Sequence, residues 1–199
     1  MNYKSIVKKI IDLRNKDLSL RNDLIQKGLM DEGYHEEMEK MHTLNAEELK
    51  DIIDQIGYPD INKVGKEASE AAWLVIQHAI GLPDFMKMCQ ELLKKAVAEK
   101  KADPLHLAYL SDRIAVLEGK NQIFGTQFDW DDTGTMNPNA FDDLKKVNQR
   151  RNSIGLNTLQ EQTDVIRHRV QTENQTPPRD LLKRKQQMDE WRKKVGWME

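Results

Sequence analysis

The chain is short of cysteine and has no long apolar run. Cys89 is its single cysteine among 199 residues, which excludes an internal disulfide and favours a reducing compartment. No segment approaches the roughly 18 consecutive apolar residues that a membrane-spanning helix needs. Residues 1–4 are not followed by the apolar core of a signal peptide. We therefore expect a cytoplasmic protein that does not enter a membrane.

Neither sign of charge dominates the sequence. The 31 lysine and arginine residues nearly balance the 33 aspartate and glutamate residues, for a formal net charge of -2. This balance provides no overall attraction to nucleic acid or to an anionic membrane surface. Aromatic residues make up only 6% of the chain, whereas hydrophobic residues make up 38% and charged residues 32%. Such a composition is typical of a soluble, helix-rich protein and argues against disorder.

Hydrophobic spacing predicts a mainly α fold. Apolar residues recur at helical intervals from Tyr3 to Ile25, and a helix from Asn45 to Ile56 starts with a capping-box pattern in which Glu48 follows Asn45 by three positions. Residues 29–43 are polar and weakly periodic, which favours a loop. The pattern as a whole predicts a compact bundle of about six helices in a single helical domain, residues 1–170.

One small β-hairpin is predicted beside the helices. Residues 119–141 contain three glycines and a short alternation of apolar and polar residues. Residues 122–128 resemble one strand, and Asp132-Thr133-Gly134 resembles its turn.

The last segment, residues 171–199, is predicted to be a basic amphipathic tail helix. Seven lysines or arginines stand against three acidic residues between positions 179 and 195, with apolar residues and Trp191 between them. A protein partner or a second copy of the chain could dock on residues 179–197. Nucleic acid is expected to bind nowhere except through this tail.

Polar side chains lie inside the most apolar part of the sequence. Trp73-Leu74-Val75-Ile76 leads directly into Gln77 and His78, and further polar residues follow in two later motifs. Burying a polar group is costly unless it finds a partner, so these residues predict either a structural network or a site. A site would use His78 as general acid or base and Asp112 to orient it. The same two residues could instead be a satisfied core histidine and a structural ion pair or cap.

Amides and cations near these residues could bind a substrate. Arginine binds anionic groups through paired hydrogen bonds, and glutamine both donates and accepts. In the alternative interpretation they form a hydrogen-bond network that fixes the strand to the helices. The candidate substrate-binding residues are Gln77, Tyr109, Arg113, Lys120, Gln122 and Gln127.

The sequence assigns no metal ligand and no cofactor. Glu32-x-x-His35 and Glu39-x-x-His42 have the spacing found in di-iron bundles. They stand seven residues apart in one segment, however, whereas a di-iron bundle places them on two facing helices. No paired-cysteine or His-Glu-x-x-His zinc pattern is present.

The middle of the chain, about residues 45–160, contains a set of short motifs. They are Gly57-Tyr58-Pro59, Ala71-Ala72-Trp73-Leu74, Gln77-His78-Ala79, Ala108-Tyr109-Leu110-Ser111-Asp112-Arg113, Gln122-Ile123-Phe124-Gly125-Thr126-Gln127, Arg150-Arg151 and Gly155-Leu156. As a set they resemble the motifs of a bacterial family of uncharacterised domains, whose usual Asp after the Gln-His-Ala motif is replaced here by Ile80. The resemblance implies no established activity.

These observations lead to an expected function and two alternatives. We expect a hydrolase or transferase that acts on a small polar substrate through a pocket of histidine, aspartate and glutamine side chains. The first alternative is a non-catalytic module that binds a small ligand, such as a nucleotide or peptide, or a protein, as a sensor, immunity factor or sponge would. In the second, the polar network serves only the fold.

Overall fold

A computed structural model describes residues 3–29 and 34–199 of the chain. Within these residues it contains eight helices and one antiparallel hairpin, so the mainly α class and the hairpin are confirmed. The elements are α1 (Lys4–Gln26), α2 (Glu36–Ile56), α3 (Ile61–His78), α4 (Pro83–Ala98), α5 (Pro104–Leu117), β1 (Phe128–Trp130), β2 (Met136–Pro138), α6 (Leu144–Ser153), α7 (Leu159–Thr172) and α8 (Leu181–Val195).

The helices number eight in the described residues instead of about six. One of the additional helices is α8, which the sequence analysis predicted separately as the tail helix and which buries none of its residues. The other is α7, which buries only Leu159 and Val170 and therefore gives a weak hydrophobic pattern. None of the described helices is long and apolar enough to cross a membrane.

The chain divides into two compact units, residues 1–107 and 108–199, with the division inside α5. The division that the sequence analysis placed at residue 170 stays a prediction. Residues 171–199 are part of the second unit, in which side chains of α8 bond to the hairpin and to α5. Arg184 pairs with Asp129 at 2.7 Å, and Arg192 donates to the backbone oxygen of Val116 at 2.9 Å.

The core of the first unit is centred on α1, α2 and α3. Helix α3 contributes the apolar run predicted from the sequence, including the fully buried Val75 and Ile76. Helix α1 buries Ile10, Leu13 and Leu24 on the same face as Asp17. A carboxylate therefore occupies a core position between apolar residues at helical spacing.

Helix α2 begins at Glu36, nine residues before the predicted start. Residues 36–43 are helical and do not form the expected loop, because buried Met38 and His42 extend the inward-facing stripe of the helix. Asn45 is not a cap but a buried residue inside the helix. Its side-chain amide donates to the backbone oxygen of Leu13 at 3.1 Å and so ties α2 to α1. Polar residues in core positions concealed this part of the helix.

The hairpin of the second unit pairs β1 with β2, with Asp129 opposite Asn137. Its turn lies at residues 131–135, close to the predicted turn at 132–134. The predicted strand at residues 122–127 is a loop, apart from one isolated bridge between Gln122 and Phe141. Several of its backbone N–H groups bond to side chains, so no neighbouring strand is needed to satisfy them.

We predict that Asn45→Ala lowers the free energy of unfolding by about 1–3 kcal/mol, since it removes a buried hydrogen bond and leaves the Leu13 oxygen without its donor. Urea denaturation followed by circular dichroism would measure the change. Asn22→Ala, at an exposed position of α1, is the matched control. Alanine favours helix at both positions, so equal stabilisation of the two variants would contradict the structural role of Asn45.

Candidate active site

Three helices of the first unit each place one side chain at a buried carboxylate. Asp17 of α1 is completely buried. Its Oδ2 accepts a hydrogen bond from Nδ1 of His78, the last residue of α3, over 2.7 Å. The same oxygen lies 3.2 Å from Nε2 of His42, on α2. The two imidazole rings are 5.0 Å apart between centroids. We call these three residues the Asp17 cluster.

The Asp17 carboxylate is ionised in this environment. Burial raises its pKa, but the hydrogen bonds and charges of His42 and His78 outweigh burial and hold the pKa below its usual range. An ionised carboxylate only accepts hydrogen bonds, so Nδ1 of His78 donates to it. In the neutral form of such an imidazole the lone pair is on Nε2. The His78 side chain is 27% exposed, whereas that of Asp17 is 1% exposed. His78 is therefore the open side of the cluster.

Tyr34 extends the cluster behind His42. Its hydroxyl lies 2.6 Å from Nδ1 of His42, and the two rings stack. Burial, together with the charges of Glu39 and Asp17, raises the pKa of Tyr34. The hydroxyl keeps its proton. In the tautomer in which it donates this proton to Nδ1, the N–H of His42 is on Nε2 and faces Asp17. The result is a continuous polar series of Tyr34, His42, Asp17 and His78.

The cluster contains buried polar atoms that the described residues do not satisfy. Oδ1 of Asp17 and Nε2 of His42 are both shielded from solvent, and neither makes a well-aligned hydrogen bond within the described part of the chain. The contact of Nε2 with Oδ2, at 3.2 Å, is an ion-pair distance without that alignment. One ligand atom from each member of the cluster lies within 4.8 Å of the others, a spacing at which they could hold a metal ion. The sequence analysis assigned no metal ligand, although His42 belongs to one of its two Glu-x-x-His motifs.

Of the other Glu-x-x-His motif, Glu32-x-x-His35, only the histidine lies in the described residues. Glu32 lies outside the described residues. His35 is the N-cap of α2, where its Nδ1 accepts from the backbone N–H of Glu37.

The partner of His78 is Asp17, whereas the sequence analysis named Asp112. The two residues belong to different compact units, and Asp112 has its own set of partners. Its carboxylate is fully buried and accepts backbone N–H groups from Ile123 at 2.9 Å, Phe124 at 3.1 Å and Thr126 at 2.8 Å. Burial raises the pKa of Asp112, and this effect exceeds the lowering of the pKa by the three backbone hydrogen bonds. Asp112 thus anchors a loop.

Gln122 anchors the same loop from within. Its amide nitrogen donates to the backbone oxygens of Gln127 and Asn139, both at 3.0 Å, and its oxygen accepts from the Gln127 N–H at 2.7 Å. These bonds occupy both ends of a side chain that is completely buried. Gln127 joins this contact through its backbone, while its side chain bonds to Thr126. The Gln122 amide, which was expected to bind substrate, therefore bonds to backbone groups of the protein.

Arg151 is a third buried residue that bonds to this loop, and it was not among the site residues predicted from the sequence. It is 1% exposed and donates to the backbone oxygens of Phe124, Gly125 and Asn157. Gly125 has φ +64, and a Cβ atom there would come within 2.8 Å of the Leu159 side chain. The Arg-Arg pair and the Gly-Thr-Gln motif, each noted in the sequence, thus meet in one contact.

The remaining predicted site residues have varied surroundings. Lys120 is exposed and pairs with Glu118 at 2.8 Å. Tyr109 is half-buried in the second unit. Arg113, in the same unit, has a pKa that burial lowers. Gln77 is 4% exposed on α3, next to His78.

The second unit also has a cavity of about 520 Å³ between the hairpin and the end of α7. It was not foreseen from the sequence, because its lining comes from segments that the periodicity did not connect. The lining includes Trp130, Met136, Arg167, Val170, Gln171 and Pro177.

Residues 5–171 match the sequence model of a family of unknown function (DUF6624). The chain belongs to this family. The matched region contains the Asp17 cluster and the loop that Asp112 anchors, and it ends before α8. No curated protein and no solved structure matches the chain. The family therefore provides no activity to transfer, and the function has to be argued from the geometry.

We predict that Asp112→Asn lowers the free energy of unfolding by about 2–4 kcal/mol, because an amide group would turn a donor toward at least one backbone N–H that now has an acceptor. Asp164→Asn, at an exposed position of α7, is the control and should change stability by less than about 0.5 kcal/mol. Denaturant titration measures both. Equal stability of Asp112→Asn and the wild type would mean that this loop does not depend on the carboxylate.

Proposed function

We propose that the protein is a hydrolase or transferase whose Asp17 cluster activates water, or a substrate hydroxyl, for attack on a small polar substrate. The observation that carries the proposal is the 2.7 Å bond from His78 Nδ1 to a completely buried Asp17. A carboxylate that orients an imidazole, with the second ring nitrogen toward an open side, is the arrangement used in proton-transfer catalysis.

The chemistry of the cluster supports activated water better than a covalent intermediate. The buried negative charge of Asp17 favours any cationic group that forms beside it. None of the hydrogen bonds seen within the cluster involves a serine, a threonine or the cysteine. Cys89 is completely buried, and burial raises its pKa to about 12, so its thiol is a poor nucleophile.

A second candidate function is a module that binds a small ligand without turnover. The cavity of about 520 Å³ in the second unit favours it, since ligand pockets usually have volumes of roughly 300–1,000 Å³ and combine apolar walls with a few polar groups. Trp130 supplies an aromatic wall. Arg167 fixes the rim by donating to the backbone oxygen of Met136 at 3.1 Å. A thermal-shift screen of nucleotides and short peptides, compared with Trp130→Ala, tests this candidate.

We predict that Asp17→Asn and His78→Gln each lower kcat at least about 100-fold, the usual contribution of a positioned acid or base. The assay would screen the full chain against p-nitrophenyl acetate, bis(p-nitrophenyl) phosphate and p-nitroanilide peptides. The best substrate would then be used for all variants.

His168→Gln is the matched control, because His168 lies exposed on α7 in the other unit. It should keep wild-type activity. Circular dichroism would show that each variant is folded. A wild-type rate that survives in folded His78→Gln would place the reaction elsewhere in the protein.

A further inference from the structure

We propose that the Asp17 cluster is a binding site for one divalent transition metal ion of the zinc class, with Asp17, His42 and His78 as the protein ligands. This inference rests on the proposed function for its chemical role, since the ion would be the group that activates water. The binding itself is an independent property and can be measured without a substrate.

The types of ligand select the class of metal. Two imidazole nitrogens and one carboxylate make up the cluster. Calcium and magnesium prefer six or more oxygen ligands, so they fit poorly. Zinc and the neighbouring transition metals bind histidine together with carboxylate, and catalytic zinc sites commonly use three protein ligands.

The buried atoms without hydrogen bonds point to a missing ligand. Asp17 Oδ1 and His42 Nε2 are both shielded from solvent, and Oδ1 has no hydrogen-bond partner among the described residues. Nε2 lies 3.2 Å from Asp17 Oδ2 but is not aligned for a hydrogen bond with it. Leaving two such atoms in a protein interior is costly. A cation held by the Asp17 carboxylate and by the two imidazoles would satisfy Nε2 of His42, and Oδ1 as well if both carboxylate oxygens contact it. Nε2 of His42 and Nδ1 of His78 must both give up their protons to bind it.

The spacing is close to that of a bound ion. Ligands about 2.0–2.1 Å from a tetrahedral zinc ion lie about 3.3 Å from each other. His42 Nε2 and Asp17 Oδ2 are 3.2 Å apart. His78 Nδ1 and the same oxygen are 2.7 Å apart, so they must separate by about 0.6 Å to reach the tetrahedral spacing. His78 ends α3 and is part-exposed, which permits this shift.

The surroundings have the features expected of a catalytic metal centre. A ligating histidine usually makes a hydrogen bond through its other ring nitrogen. Tyr34 occupies that position on His42, with its oxygen 2.6 Å from Nδ1. When the metal is on Nε2, Nδ1 carries the proton and donates to the Tyr34 oxygen. The open side at His78 leaves room for a water molecule as the fourth ligand.

The test uses the tag-free full chain, stripped with EDTA and titrated with zinc chloride in a calorimeter and with cobalt chloride in a spectrophotometer. We expect one zinc ion per chain and the visible absorption of four-coordinate cobalt. Asp17→Asn, His42→Gln and His78→Gln should each weaken zinc binding more than about 100-fold. Tyr34→Phe should weaken it about 10-fold, as loss of a supporting hydrogen bond does. His168→Gln should bind like the wild type.

Two results would overturn the proposal. One is a wild-type chain that binds neither ion, and the other is undiminished binding in the folded His78→Gln variant, which is the ligand substitution least able to disturb the core. Activity that survives EDTA in a chain without bound metal would reject the metal centre and keep the hydrolase. Metal bound at the cluster in a chain that turns over no substrate would keep the metal centre and count against the hydrolase.

Discussion

The first unit depends on the burial of one negative charge. Asp17 occupies a core position of α1 between Leu13 and Leu24, where an unpaired carboxylate would be very unfavourable. Imidazole groups from α2 and α3 offset this cost, so the packing of the three helices and the ionisation of Asp17 are linked. A shift of either helix away from α1 would leave the charge with one imidazole instead of two. The same constraint fixes the position of His78 at the end of α3.

In the second unit, buried polar side chains satisfy the backbone groups of an irregular loop. The loop at residues 122–127 has backbone groups that no strand pairs with along its length. Asp112, Gln122 and Arg151 are buried and bond to these groups, which lets an irregular segment lie inside the fold. Because Gly125 has a positive φ and no room for a side chain, the motif around it is explained by backbone geometry without any ligand.

The sequence predicted the apolar framework well and the polar interior less well. The stripe of α1, the apolar run of α3 and the turn of the hairpin could be predicted from the sequence, because hydrophobic periodicity reports burial directly. The beginning of α2 was hidden by polar residues, such as His42 and Asn45, in buried positions. His78 was recognised as a candidate from its apolar context, but its partner lies 61 residues away, and no local pattern connects them. A usable signal did exist at Asp17, which interrupts an apolar stripe at a position where charge is rare.

Asp17 and Asp112 show why burial alone does not distinguish a site from a scaffold. Both carboxylates are completely buried. Asp112 bonds to three backbone N–H groups with its two oxygens, so neither oxygen is left over for a ligand. Asp17 bonds to titratable side chains and keeps Oδ1 without a donor in the described residues. Backbone donors are fixed in place and cannot change their protonation, whereas imidazoles can exchange a proton for a metal ion. The type of donor around each carboxylate, more than its depth, therefore locates chemistry at Asp17 and structure at Asp112.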